Sequence, residues 1–177
     1  AFPEFKHYER LKKILNLDEK LKVKFDNFFI LALLVVDQSN NYEYFCHKYK
    51  TSNDIKNRFS NISKNFENLK NKNFYSEENI KKLIYFSNKN NVKDLLHFSV
   101  CIYNKSNYLN ILRLLDYVDN CNIPKFPISG DYLKKYGYKS GLEMGKKLKF
   151  LEEKWISNNF ILDKKFLEKS LKKDNRN

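Results

Sequence analysis

The chain has 177 residues, of which 42% are hydrophobic and 16% aromatic, which is enough apolar surface for one sizeable core and excludes global disorder. Lysine and arginine number 34 against 21 aspartate and glutamate, and the formal net charge of +13 favours a polyanionic partner. AT-rich coding would give the same excess of lysine without any binding role, so only clustered lysines are informative.

Neither the cysteines nor the apolar runs point to secretion or to a membrane. Cys46, Cys101 and Cys121 form no C-x-x-C pair, and we expect them to be small core residues in a reducing compartment. The longest apolar run, residues 28–36, is shorter than the ~20 residues of a spanning helix, and no signal-peptide pattern opens the chain. The sequence predicts a soluble cytoplasmic protein without a membrane partner.

The first half of the chain reads as consecutive helices joined by short polar turns. A helical stripe opens it, formed by Tyr8, Leu11, Ile14 and Leu15, and the apolar run 28–36 predicts the buried centre of this half. Thr51 and Asp54 are spaced like a capping box. The stripe that follows predicts one long amphipathic helix through Ile55, Phe59, Ile62, Phe66 and Leu69.

Residues 92–103 and 108–118 predict two further helices, the first of them apolar nearly all round and therefore covered on two sides. No stretch alternates apolar and polar residues with a period of two, as a half-buried strand would. The predicted fold class is all-α, a multi-helical array of about eight to ten helices.

Residue patterns that carry catalysis are absent from the sequence. Two-metal nucleotidyl transfer needs paired carboxylates such as Asp-x-Asp, and no aspartate here has a carboxylate two positions later. Asp116 and Asp119 are three apart, but we interpret them as a solvated helix rim. The three histidines are scattered, and no phosphate-loop motif is present. We therefore predict no catalytic residue, metal site or cofactor in this chain.

All four glycines fall between positions 130 and 145, in a segment unlike the rest. Pro124 and Pro127 favour an extended approach, after which Ser129 or Asp131 is expected to cap a short helix over residues 131–136. Gly137 stands where a left-handed residue would end that helix. The next helix is expected to restart here, with Ser140 as its capping residue.

Gly141 and Gly145 are four apart and leave the backbone bare at the first turn of that helix. Either a neighbouring helix packs across them, or the helix N-terminus accepts a nucleic-acid phosphate. Lysines are dense around this turn. The residues that we predict to bind RNA are Lys134, Lys135, Lys139, Ser140, Gly141, Gly145, Lys146 and Lys149.

The helix continues with Met144, Leu148, Leu151 and Trp155 at a four-three-four spacing, which predicts a core face with Trp155 packed inside rather than stacked on a base. Residues 126–160 resemble the C-terminal end of bacterial CCA-adding tRNA nucleotidyltransferases and their poly(A) polymerase relatives, especially the alphaproteobacterial type. The matching pattern is Phe-Pro-Ile-Ser-Gly-Asp-x-Leu, then Ser-Gly-Leu-Glu-Met-Gly-Lys-x-Leu, then Leu-Glu-Glu-x-Trp-Ile. One departure is Leu142, where the family usually has a proline that would preset the first turn.

The resemblance implies the helical body and tail of such an enzyme, which grip tRNA while a separate N-terminal head adds CTP and ATP with paired carboxylates and magnesium. That head is absent from this sequence, so we expect the chain alone to be inactive and magnesium to bind only in the head. The implied partners are tRNA or another structured RNA, and the nucleotidyltransferase head.

The expected organisation is a helical body over residues 1–122, a glycine-punctuated helical tail over 123–172, and disorder over 173–177. Two other functions stay open from the sequence. One is a helical protein-interaction domain with no RNA role, whose glycine face docks a partner helix. The other is a complete enzyme whose catalytic site the sequence does not reveal.

Overall fold

The computed structural model of the protein describes residues 3–17, 19, 25–103 and 108–171. Within these ranges the chain is all-α, as predicted, with no strand and two short 3-10 helices, Asn68–Lys70 and Lys72–Tyr75. The expectation of disorder over 173–177 lies outside the described residues. The described residues form ten α-helices, which are α1 Tyr8–Leu15, α2 Asn27–Val35, α3 Asn41–Lys48, α4 Asn53–Asn65, α5 Glu77–Phe86, α6 Lys89–Ile102, α7 Tyr108–Asn120, α8 Gly130–Lys134, α9 Leu142–Ser157 and α10 Lys164–Leu171.

The chain divides into two compact units, Ala1–Cys121 and Asn122–Asn177. Helix α6 is the centre of the N-terminal unit, because α1, α2, α4, α5 and α7 all pack against it. Side chains from Val92 to Cys101 are buried on almost every side of α6, except Lys93. The prediction that this apolar helix is covered on more than one side is confirmed, and Cys101 is a buried free thiol within it.

Helix α2 carries the apolar run and is fixed at both ends by polar side chains. The Asp26 carboxylate accepts a hydrogen bond from the Phe29 N–H at 2.7 Å and caps the N-terminus. At the other end the buried Arg10 guanidinium donates to the carbonyl oxygens of Leu33, at 3.0 Å, and Val36, at 2.6 Å. Because helix C-termini leave carbonyls without intrahelical partners, Arg10 satisfies groups that burial would otherwise leave unbonded.

A second arginine joins three helices. Arg58 of α4 donates to the Asp26 carboxylate from Nη1 at 2.8 Å and to the Asp94 carboxylate of α6 from Nη2 at 2.8 Å. Its Nε also bonds to Asp94, so the pair is bidentate. The hydrogen bonds to Asp94 raise the pKa of Arg58 above its ordinary value. The three-way contact connects the start of α2 to α4 and α6.

The long helix predicted after Thr51 is shorter in the structure, and its cap is different. Ser52, not Thr51, accepts a hydrogen bond from the Ile55 N–H, at 3.4 Å. Helix α4 ends at Asn65, and Leu69 reaches the core from a separate 3-10 helix, where it is 2% exposed. An apolar stripe continues through this break because a 3-10 turn also brings every third residue to one side.

The C-terminal unit has its own core. Its buried members are Ile128, Leu133, Tyr138, Met144, Leu151 and Leu171. Trp155 is 2% exposed, and its ring centroid lies 5.4 Å from that of Phe126 and 4.9 Å from that of Phe160. The interpretation of Trp155 as a packing residue is confirmed. Across both units, none of the described helices has the length and apolar character needed to span a bilayer.

Candidate nucleic-acid interface

The approach to the candidate site is a short helix with well-defined ends. Ser129 accepts a hydrogen bond from the Tyr132 N–H at 3.2 Å, so of the two expected caps it is the one used. Helix α8 stops at Lys134, two residues earlier than predicted. The Gly137 N–H donates to the Lys134 carbonyl at 3.0 Å, with Gly137 left-handed at φ +82° as predicted. The chain therefore reverses tightly here, and the next segment leads into α9.

The start of α9 differs from the prediction. Ser140 does not cap the helix: the capping position is Gly141, with φ +138° and ψ −161°, and this residue has no side chain to bond to the first turn. Only glycine adopts this backbone conformation readily, so the turn into the helix occurs at Gly141. Ser140 therefore lies one residue before the capping position. The N–H groups of the first turn of α9 consequently receive no acceptor from the capping residue.

The glycine face of α9 is open. A methyl group placed on Gly141 or Gly145 would meet no atom within 4 Å in the described part of the chain, apart from neighbours along the helix backbone. A helix of this chain packed across the glycines, one of the two interpretations of the sequence, is therefore not found there. Close packing occurs instead at Gly130, where an added methyl would lie 3.2 Å from the sulfur of Met144. The sequence did not single out Gly130.

Helical spacing separates the core face of α9 from the lysines. Met144, Leu151 and Trp155 are buried, whereas Gly145, Lys146 and Lys149 are exposed on another face. The turn before α9 adds further exposed residues. Together the exposed residues are Lys134, Lys135, Lys139, Ser140, Gly141, Gly145, Lys146 and Lys149, which are all those predicted to bind RNA. We call this set the α9 lysine surface.

The lysines of this surface are not equivalent. The Lys134 ammonium bonds to the Asp131 carboxylate at 2.7 Å, which holds the pKa of Asp131 below its ordinary value. Lys135, Lys139, Lys146 and Lys149 form no ion pair with any residue in 108–171 or the other described ranges. Four exposed lysines without an ion-pair partner among the described residues thus surround Gly141 and Gly145.

An exposed aromatic residue beside the α9 lysine surface was missed from the sequence. Phe150 is 40% exposed, and its ring centroid lies 5.4 Å from the Lys147 ammonium and 5.9 Å from that of Lys154. Partial burial lowers the pKa of Lys147. The sequence could have predicted its exposure, because Phe150 falls outside the apolar stripe that contains Leu148 and Leu151.

The acidic pair that the sequence offered as a possible metal site has another partner in the structure. Asp119, considered with Asp116 in the sequence, is engaged by the Lys93 ammonium. In residues 3–17, 19, 25–103 and 108–171, histidine, cysteine and acidic side chains form no group of three or more that could hold a metal ion.

Comparison with known proteins gives a partial similarity. No protein-family model matches the chain. A stretch of 52 residues is 40% identical to the zebrafish (Danio rerio) protein CCA tRNA nucleotidyltransferase 1, mitochondrial. The stretch covers 29% of this chain and 12% of the zebrafish protein. The chain is therefore similar, over part of its length, to a CCA tRNA nucleotidyltransferase.

Proposed function

We propose that the chain is a tRNA-binding, non-catalytic C-terminal region of a CCA-adding tRNA nucleotidyltransferase or poly(A) polymerase of the bacterial type. The observation that carries the proposal is the start of α9. There an uncapped helix N-terminus, an open glycine face and unpaired lysines occur together. The partial similarity to the zebrafish enzyme supports the assignment to this class of protein.

The ligand that suits this surface is a phosphate of the RNA backbone. A helix N-terminus carries roughly half a positive charge and presents N–H donors, which favours an anion. Gly145 has no side chain to keep that anion away from the backbone, and Lys146 and Lys149 lie on the same exposed face. Backbone contacts of this kind position a nucleic acid and carry no sequence information.

In this proposal, nucleotide addition takes place in another part of the enzyme. A separate N-terminal nucleotidyltransferase head, with magnesium held by paired carboxylates, adds CTP or ATP, while this chain holds the tRNA. The α9 lysine surface supplies affinity through charge, so binding is tightest at low salt. The site of action that fits this role is the cytoplasm.

The test is tRNA binding by the 177-residue chain with and without the unpaired lysines. The triple variant Lys139→Glu, Lys146→Glu and Lys149→Glu should bind tRNA at least about tenfold more weakly at low salt, since each reversal removes one phosphate contact. The matched control reverses the same number of exposed lysines in the N-terminal unit, at Lys12, Lys56 and Lys64. It changes net charge equally and should lose much less affinity.

Equal tRNA affinity in the wild type and the α9 triple variant would contradict the assignment. Folding of the α9 triple variant is checked by the fluorescence of Trp155, the single tryptophan of the chain, and folding of the control variant is checked by circular dichroism. Failure of the wild type to retain any tRNA at low salt would favour a protein-interaction domain instead. Incorporation of labelled CTP or ATP into tRNA by this chain alone would show that it is a complete enzyme.

A further inference from the structure

A groove of about 350 Å³ lies in the N-terminal unit, where the two 3-10 helices meet the end of α4 and the start of α5. Asparagines dominate its lining. They are Asn65, Asn68, Asn71, Asn73 and Asn79, and we call this feature the asparagine groove. Its apolar wall is formed by Phe74, which is 4% exposed, and Leu83.

Three of the asparagine side chains are fixed by the backbone through one half of each amide. Asn65 Nδ2 donates to the Asn61 carbonyl at 2.9 Å, and Asn79 Nδ2 donates to the Phe74 carbonyl at 2.9 Å. Asn71 Oδ1 accepts from the Asn73 N–H at 2.9 Å. These bonds orient the amides while leaving the Oδ1 of Asn65 and Asn79, and the Nδ2 of Asn71, for a ligand.

In two further asparagine side chains, neither the amide oxygen nor the amide nitrogen forms a hydrogen bond within the described residues. The side chains of Asn68 and Asn73, each on one of the 3-10 helices, form no hydrogen bond within the described ranges, and both are exposed. An amide presents a donor and an acceptor side by side, which is the pattern that matches the N6 and N7 edge of adenine. The groove therefore offers several such edges next to an apolar wall.

The charge of the asparagine groove distinguishes it from the α9 lysine surface. Its charged lining residues are Glu78 and Lys82, one of each sign, and the other polar groups are neutral. A groove of this kind has little to attract a phosphate, but it suits a neutral heterocycle that is recognised by hydrogen bonds and held against an apolar surface.

We propose that the asparagine groove is a binding site for an adenine base. The base is either unpaired in an RNA strand or part of a free nucleotide. If the base belongs to an RNA strand, the inference rests on the proposed function. The asparagine groove would then contact a base, whereas the α9 lysine surface is proposed to contact only phosphates. Asn68 and Asn73 supply the donor and acceptor pairs, and Leu83, with the small exposed edge of Phe74, packs against the base.

The experiment uses the whole chain with two probes, a single-stranded adenosine hexamer and AMP, and measures each affinity by titration. The double variant Asn68→Ala and Asn73→Ala should bind at least about fivefold more weakly whichever probe the wild type binds, as expected for the loss of a paired base contact. The control is Asn57→Ala and Asn90→Ala, two exposed asparagines outside the groove, and it should bind as the wild type does.

The two probes separate the sources of the base. If the groove variant binds the hexamer more weakly and AMP does not bind at all, the ligand is an RNA strand. If the variant binds both probes more weakly, the groove also accepts a free nucleotide. No binding of either probe by the wild type, or equal affinity of the wild type and the groove variant, overturns the proposal. Transfer-RNA binding and its loss in the α9 triple variant are measured separately, so this result does not decide the proposed function.

Discussion

The Tyr138 N–H donates to the carbonyl oxygen of Leu133 at 3.3 Å, across the reversal that leads from α8 toward α9. Both side chains are buried in the same core, Leu133 fully and Tyr138 at 8% exposure. This bond, the one from Gly137 to Lys134, and the apolar contact between Leu133 and Tyr138 form a Schellman motif. The motif fixes where the chain leaves α8, and it requires a left-handed residue at Gly137.

Replacing Gly137 by alanine should therefore destabilise the C-terminal unit. A side chain in the left-handed region costs about 1–2 kcal/mol, and no neighbouring atom would offset this cost, because an added methyl meets nothing within 4 Å in the described residues. Denaturant unfolding followed by Trp155 fluorescence measures the change within this unit. An unfolding midpoint equal to that of the wild type would contradict the role of Gly137.

Replacing Gly145 by alanine should have the opposite effect on stability. Gly145 lies inside α9 with open space beside it, and alanine is favoured over glycine in a helix by up to about 1 kcal/mol. If RNA phosphate approaches the backbone there, the same methyl group should weaken tRNA binding while the protein becomes more stable. Increased stability with unchanged tRNA affinity would show that the glycine face does not contact RNA.

The salt dependence of binding should report the number of lysines that contact phosphate. Lys149→Gln removes one charge without introducing repulsion, so the slope of log affinity against log salt should fall in magnitude by about 0.7–0.9. Lys164→Gln, an exposed lysine at the start of α10, is the control and should leave the slope unchanged. Titrations of tRNA at several salt concentrations give both slopes, and equal reductions would mean that Lys149 has no specific contact.

Acid should weaken the N-terminal unit through Asp26. Burial opposes ionisation of this carboxyl, but hydrogen bonds from the Phe29 N–H and from Arg58 outweigh it and lower its pKa below the ordinary value of an aspartate. The lowered pKa adds stability above the pKa of the unfolded chain, and this contribution disappears as pH falls through the folded pKa. Asp26→Asn keeps a capping side chain without the charge.

The comparison for Asp26 is made by circular dichroism unfolding between about pH 5 and pH 2. The Asn variant should be less stable than the wild type at the higher pH, and the difference should shrink toward the lower pH. A constant difference across this range would mean that ionised Asp26 does not contribute to folding.

The helices were predictable where one apolar face dominates, as in α9, because a four-three-four spacing leaves a single way to bury Met144, Leu151 and Trp155. The exposure of Lys146 and Lys149 follows from the same spacing. The uncapped start of α9 was not predictable, because both Ser140 and Gly141 are residues that precede helices. Periodicity does not distinguish them, whereas the backbone conformation does.

The end of α4 and the asparagine groove show a second limit of sequence reasoning. The stripe through Leu69 matches a continuous helix, but the Asn71 side chain bonds to the Asn73 N–H and stabilises a separate turn. The groove depends on how that turn packs against α5. Sequence spacing alone contains no information about such a neighbour.

The arginine side chains of the described residues form hydrogen bonds within the fold, whereas several lysine side chains form none. Arg10 bonds to two carbonyl oxygens and lies over two aromatic rings, Arg58 bonds to two carboxylates, and Arg113 bonds to Glu77 and Asn110. Every guanidinium in the described ranges is thus occupied inside the N-terminal unit. An ammonium makes no planar two-pronged contact, so an RNA backbone held by Lys146 and Lys149, as proposed, could shift by one phosphate position and still be attracted. On the proposed function, such a surface would tolerate an RNA that lengthens at its far end, and acylation of its lysines would weaken RNA binding without disturbing the core.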